Sequence, residues 1–285
     1  MTATDTTRSS ASGTVLSAGG WLDDHFQACR EAYAAMVAAA GFERGWRVLD
    51  LGSGTGIFTP LLREAVGPEG EVVAVDLDEE NVRFGATRDA FAPAVAGSAI
   101  ALPFRDATFD AVWSANLTQY FDDDGLTVLL AEAVRIARPG GLVAVKDVDM
   151  SALRIAPGSP FLGPHLAEAC VTVPPVTAES VGSIRGRALR GWLHRAGLEA
   201  TSQRTFPIDY AGPLEGAALR LWSAWLPYLA ALAEEKGVPS EDLDAWHGLS
   251  DPEGALAFVR RPDFTASELQ VLAVGRVPET NARGG

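Results

Sequence analysis

The stretch that most constrains the fold is Trp46-Arg47-Val48-Leu49-Asp50-Leu51-Gly52-Ser53-Gly54-Thr55-Gly56. A short apolar run ends in an acid and enters a turn with glycine at every second position. A helical pattern follows through Leu61, Leu62 and Val66. Strand, glycine turn and helix in this order form the unit with which an α/β sheet presents its backbone to a ligand at the carboxyl edge. Glycine suits the turn because the chain must approach the ligand closely and take positive φ.

The spacing narrows the ligand. A dinucleotide fingerprint requires Gly-x-Gly-x-x-Gly. Counted from Gly52 the third glycine falls on Ile57, and counted from Gly54 it falls on Thr59. An acid before the turn repels a pyrophosphate but suits a ligand that carries an ammonium group and no phosphate. Downstream, Val72-Val73-Ala74-Val75-Asp76 is a second apolar strand pattern ending in an acid, placed to accept the hydroxyls of a ribose. An amino acid at one end and a ribose at the other describe S-adenosylmethionine. These residues resemble the class I S-adenosylmethionine-dependent methyltransferases, in particular the small-molecule branch with the ubiquinone and menaquinone methyltransferases. The resemblance covers roughly residues 20–150 and returns weakly near the C-terminus.

The resemblance implies an α/β, Rossmann-like sheet of about seven strands, mostly parallel with an antiparallel last strand, plus helical and loop insertions over the acceptor site. It implies that S-adenosyl-L-methionine is bound by Tyr33, Asp50, Gly52, Ser53, Gly54, Gly56, Asp76, Leu77, Ser98, Ala99 and Asn116. Leu77 takes the place that packs on the adenine. Gly97-Ser98-Ala99 stands where the family often has Gly-Asp-Ala, so a serine hydroxyl replaces the carboxylate facing the adenine amino group. Asp106 to Asn116 matches the fourth strand of the family, with Asn116 at its carboxyl edge in the crevice beside the glycine turn. Arg138-Pro139-Gly140-Gly141-Leu142 is a further familiar segment, leading into a fifth strand over 142–149.

The chain has 285 residues with 47% hydrophobic content, enough for one sizeable core. The reading is a tail over 1–18, poor in residues to bury and expected to be disordered, and a methyltransferase domain over 19–277 with cover insertions at about 151–182 and 212–262. Residues 278–285 form a second tail. Residues 21–40 carry an apolar stripe and are expected to form one helix; a short third strand is expected near 94–96 and a further helix over about 183–196. Pro227 is expected to kink or break, near Leu226, the helical stripe that holds Trp222 and Trp225. The net charge of −14 and the lack of a basic run argue against nucleic acid as partner. Cys29 and Cys170 fit neither a disulfide framework nor a metal motif. Asp147 and Asp149 share one strand face, but no further metal ligands are evident, and the expectation is no metal. No run spans a bilayer and no signal peptide precedes the fold, so a cytoplasmic protein is expected, its lysine-poor, arginine-rich composition pointing to a bacterial source.

Methyl transfer needs alignment, exclusion of water and, for an oxygen or carbon nucleophile, a base. His25, Tyr33, Tyr120, His165, Asp147 and His247 are candidates; His25 and Tyr120 are taken as the catalytic pair of interest, although no paired constellation selects among them. The expected acceptor is a small, largely apolar molecule, methylated on carbon or oxygen, plausibly in specialised (antibiotic-like) metabolism. Whether the protein forms a homo-oligomer stays open. Alternatives are a protein that uses the cofactor's charge without methyl transfer, for rearrangement or cyclisation, and a non-catalytic binding protein.

Overall fold

A computed structural model describes residues 19–88 and 92–279. The tails expected at 1–18 and 278–285 lie outside the described residues, apart from 278 and 279. In chain order the structure begins with α1 (Gly19–Ala28), α2 (Arg30–Ala40), β1 (Arg47–Leu51), α3 (Thr59–Val66), β2 (Glu71–Asp76), α4 (Glu79–Arg88) and β3 (Ala94–Ala96). It continues with β4 (Phe109–Ala115), α5 (Asp123–Ile136), β5 (Ala137–Ala156), α6 (Leu162–Thr172), α7 (Ala178–Gly182) and α8 (Leu189–Arg195). It closes with β6 (Glu199–Ala211), α9 (Gly216–Lys236), α10 (Ser240–Ser250), α11 (Pro252–Val259) and β7 (Thr265–Arg276).

The seven strands form one sheet in the order β3-β2-β1-β4-β5-β7-β6, mostly parallel with antiparallel strands last. This is the α/β, Rossmann-like architecture expected from the sequence. Val48, Leu49 and Leu51 of β1 and Val72, Val73 and Val75 of β2 are buried, as apolar runs covered on both faces should be. The strand order reverses direction between β1 and β4, which pair in parallel with Asp50 opposite Trp113. Such a switch point leaves a crevice at the carboxyl ends of the strands.

The chain divides into two compact units. The sheet unit contains Arg30–Met150, Gly182–Ile208 and the described residues from Glu268 onward. Its core joins Leu49, Val73, Val112 and Val143 of the strands to Leu126, Leu129 and Ile136 of α5 and Leu189 and Leu193 of α8. Helix α5 starts where Asp122 accepts a bond from Gly125 N at 2.8 Å, and its acidic first turn and Arg135 near its end suit the helix dipole. The helical unit contains the described residues up to Cys29, Ser151–Val181 and Asp209–Ser267. Its centre is α9, whose Leu221, Trp222, Trp225, Leu226 and Leu229 are buried against α1, α6, α10 and α11.

Four sequence expectations are corrected. The single helix over 21–40 is two helices parted at Cys29, with α1 in the helical unit and α2 in the sheet unit. Helix α9 passes through Pro227 unbroken, because the buried Trp222, Trp225, Leu226 and Leu229 pack on both sides of the missing N–H. The fifth strand is not confined to 142–149: β5 runs through Pro139-Gly140-Gly141 and on to Ala156. The helix expected over 183–196 is a 3-10 turn, Arg185–Ala188, followed by the short α8.

Candidate functional site

The glycine turn follows β1 at the switch point. Gly52, Gly54 and Gly56 all have positive φ, at 69°, 53° and 73°. A Cβ on Gly52 would stand 2.7 Å from Leu117 Cδ2, and one on Gly56 would stand 3.3 Å from Gly85 Cα on α4. A Cβ on Gly54 would meet nothing within 4 Å. The three glycines therefore serve separate ends: two let neighbouring elements close on the turn, and the middle one keeps a face open.

The turn's amides are bonded internally. Gly52 N and Ser53 N both donate to Val75 O, at 2.8 and 2.9 Å, and Gly56 N donates to Ser53 O at 2.9 Å. Gly54 N donates to Asp76 Oδ2 at 2.8 Å. The expectation that the turn offers these N–H groups to a ligand is thus corrected: the second strand's end takes those of Gly52, Ser53 and Gly54, and Ser53 O takes that of Gly56. A turn with its donors spent and an acid at each flanking strand end does not cradle a phosphate.

Asp50 is buried beneath the first turn of α3, where Thr59 Oγ1 donates to its Oδ2 at 2.8 Å. Burial pushes its carboxyl up to about 7, with the nearby Asp76 adding to the rise and the Thr59 bond opposing it. A cationic group brought to this place restores the charged form. Asp76 also accepts from Asp78 N at 3.0 Å and Asn81 Nδ2 at 3.2 Å through Oδ1. Two carboxylate oxygens have about four acceptor sites, so three bonds leave room for one hydroxyl without rearrangement. Thr55 Oγ1, in the turn, is buried with no partner among the described residues. Leu77 and Ile100 follow the adjacent strands β2 and β3 at the same edge and are 50% and 41% exposed. An open glycine face, an orphan hydroxyl, a charge-starved carboxyl and two exposed apolar side chains fit a ligand with an ammonium end, a hydroxylated middle and a flat apolar end.

Ser98 turns its hydroxyl toward Ile100 N at 3.4 Å, and Ala99 packs against the core. Tyr33, buried on α2, lies tilted against Phe58 at 4.9 Å between centroids, directly after the glycine turn. Its hydroxyl lies 3.4 Å from Lys146 Nζ. Asn116 has φ 54° at the end of β4 and accepts from Lys146 Nζ at 2.6 Å. Tyr33, Asn116 and the turn are therefore gathered within the sheet unit. The two catalytic candidates are not gathered in one unit. Tyr120, half-exposed, ends the 3-10 turn Thr118–Tyr120 in the sheet unit. His25 is buried on α1 in the helical unit, stacked on Trp21 at 5.2 Å.

Asp147 and Asp149 are held by other partners. Thr118 Oγ1 and Val148 N donate to Asp147, and Arg187 pairs with Asp149 at 3.2 Å. Burial raises the Asp147 carboxyl. Arg185, also buried, donates to Thr118 O at 2.5 Å and Phe121 O at 2.9 Å and clamps the loop after Asn116. Sequence reasoning missed Arg185 and Lys146. The signal for Lys146 was present: one of the chain's two lysines ends the apolar run Leu142-Val143-Ala144-Val145. It also missed the partner of His165, whose Nδ1 lies 2.6 Å from the buried Asp242 within the helical unit.

Residues 49–145 match the family described as Methyltransferase domain. Over this stretch the chain is similar to class I methyltransferase domains. The match begins inside β1 and ends one residue before Lys146. Among curated relatives, the chain is 38% identical over 119 residues to the ubiquinone/menaquinone biosynthesis C-methyltransferase UbiE of Burkholderia multivorans, covering 40% of this chain and 48% of that protein. It is 34% identical over 122 residues to a demethylmenaquinone methyltransferase of Staphylococcus aureus, with the same coverages. The chain spans about half the length of these relatives. The fold is similar to the solved BH2331 protein from Bacillus halodurans, with TM-score 0.54 and 18% identity over 87% of this chain and 99% of that one. It is also similar to the YcgJ protein from Bacillus subtilis, with TM-score 0.51 and 17% identity over 88% and 100%. At these identities the likeness is one of fold. No helix among the described residues is long and apolar enough to cross a membrane.

Proposed function

We propose that this protein transfers the methyl group of S-adenosyl-L-methionine to a small, largely apolar acceptor, on carbon or oxygen, in specialised metabolism. The observation that carries the reading is the paired acids around a spent glycine turn: Asp50 buried with its carboxyl near 7, and Asp76 tied to Gly54 N. When bound, the cofactor supplies an electrophilic methyl carbon. Asp50 balances the charge of the amino-acid end, and Asp76 accepts a ribose hydroxyl. Gly52, Ser53, Gly54 and Gly56 shape the wall; Leu77 lies on the adenine, with Ser98 and Ala99 at its edge. Tyr33 and Asn116 border the methyl end. Deprotonation of the acceptor falls to a side chain of the set His25 and Tyr120.

The curated relatives named for C-methylation of quinone precursors support an oxygenated ring as acceptor. The net charge of −14 supports an uncharged or cationic small molecule over nucleic acid. The test is incubation of the purified protein with methyl-deuterated S-adenosylmethionine and bacterial small-molecule extracts, followed by mass spectrometry. A product carrying the deuterated methyl group is expected. A product that forms without label and without consumption of the donor would establish charge-assisted rearrangement instead.

A further inference from the structure

Asn116 stands at the end of β4, at the switch point, and Leu117 beside it covers Gly52 of the glycine turn. Its amide is held one way round. Lys146 Nζ lies 2.6 Å from Asn116 Oδ1, and Asn116 N donates to Lys146 O at 2.8 Å. An ammonium group only donates, so the Asn116 atom facing it has to be the oxygen. The other end of the amide, Nδ2, faces away. Among the described residues it donates to no partner, and the residue is partly exposed. Lys146 itself is fully buried, its Nζ 4.6 Å from the centre of the Tyr33 ring.

From this arrangement we infer that Lys146 is a positioning residue that makes Asn116 Nδ2 a fixed hydrogen-bond donor to an acceptor oxygen, so the enzyme methylates a molecule bearing a phenol-, enol- or carbonyl-type oxygen and discriminates against amines. The inference rests on the methyltransferase reading and narrows its acceptor class. Two effects act in the same direction. The donor Nδ2 matches an oxygen lone pair, whereas an aromatic amine offers N–H groups and a poor lone pair. The buried ammonium behind the amide favours negative charge developing on that oxygen as a proton leaves and disfavours a cationic amine. Reversal of the amide would face its NH2 group toward an ammonium, which has no acceptor to offer, so the orientation is set by chemistry.

The experiment uses the full chain labelled with nitrogen-15. The side-chain NH2 signals of Asn116 are assigned by their loss in Asn116→Asp, and the Gly54 amide reports the donor site. S-adenosylhomocysteine is added first, followed by 1-naphthol or, separately, 1-naphthylamine. The expected result is a shift of the Gly54 amide with S-adenosylhomocysteine and a shift of the Asn116 NH2 signals with naphthol. The naphthol dissociation constant is expected to be at least about ten-fold lower than that of naphthylamine, the worth of one well-placed hydrogen bond. In Lys146→Met the preference is expected to fall to near unity while the Gly54 response remains. If that variant does not fold, the two wild-type titrations still decide. Equal responses to both probes, or none, would overturn the inference. So would Asn116 signals that move with S-adenosylhomocysteine alone, which assigns the amide to the donor's carboxylate. A silent Gly54 amide would defeat the methyltransferase reading itself.

Discussion

Thr59 donates its hydroxyl to Asp50 at 2.8 Å, and this bond joins the first residue of α3 to the penultimate residue of β1 over a carboxyl group that water does not reach. Burial outweighs the bond and leaves the Asp50 carboxyl near 7. A carboxyl raised on folding binds its proton more tightly in the folded state than in the unfolded chain. Its contribution to stability is therefore complete at low pH and declines as pH rises from about 4 through about 7. Three pH units correspond to about 4 kcal/mol as a ceiling. Asp147 is shifted in the same direction by its own burial. Ligand-free protein is expected to melt at lower temperature at pH 8 than at pH 5.5. Asp50→Asn should flatten that slope and gain stability at pH 8. Thermal melts of both proteins across this range check the sign; an unchanged slope in the variant would remove Asp50 as the cause.

The three turn glycines should separate stability from binding. Gly54→Ala faces only the cost of φ 53° in an L residue, about 1–2 kcal/mol. Its methyl then stands on the open face, so donor affinity should drop by ten-fold or more. Gly56→Ala meets the backbone of Gly85 as well as unfavourable φ and should be the less stable of the two. Urea unfolding and calorimetric titration of S-adenosylhomocysteine on both variants give the comparison.

The loop after Asn116 depends on close backbone packing. A Cβ on Gly182 would lie 2.3 Å from Gln119 Cα, a contact no side-chain motion relieves. Gly182→Ala should cost well over 2 kcal/mol. Arg185→Met leaves Thr118 O and Phe121 O without their guanidinium donor and should cost about 2–4 kcal/mol. Urea midpoints test both.

Cys29 and Cys170 form no disulfide among the described residues, and both are buried. Burial also raises the Cys170 thiol, which lowers its thiolate content at neutral pH. Alkylation by iodoacetamide at pH 8 should be slow in native protein and rapid for both thiols in urea. Fast labelling of the native protein would show an opening of the helical unit that its tryptophan core does not suggest.

The sheet was legible because Val48-Leu49, Val72-Val73 and Phe109 to Trp113 are buried on both faces and have few other ways to fold. Strand β3 fell where expected, at Ala94–Ala96. What escaped the sequence depends on distant partners. The passage of α9 through Pro227 is decided by packing around Trp222 and Leu226, which outweighs a local breaker. The bond from Lys146 to Asn116 joins residues 30 apart and requires the β4–β5 register that sets Ala115 beside Lys146. The spending of the turn's amides on Val75 and Asp76 likewise follows from the β1–β2 register, and spacing alone reads the turn as a donor surface.

The most direct measurement is calorimetric titration of S-adenosylhomocysteine into the purified chain at pH 7, in two buffers of different ionisation enthalpy. Saturable one-to-one binding is expected, with release of a fraction of a proton, because the ligand's ammonium restores the charge of Asp50. Asp76→Ala should weaken the affinity by about ten-fold or more, as loss of a bond to a charged acceptor does. The absence of any binding by the wild-type chain, with S-adenosylmethionine equally inert, would contradict the donor site and the methyltransferase reading with it.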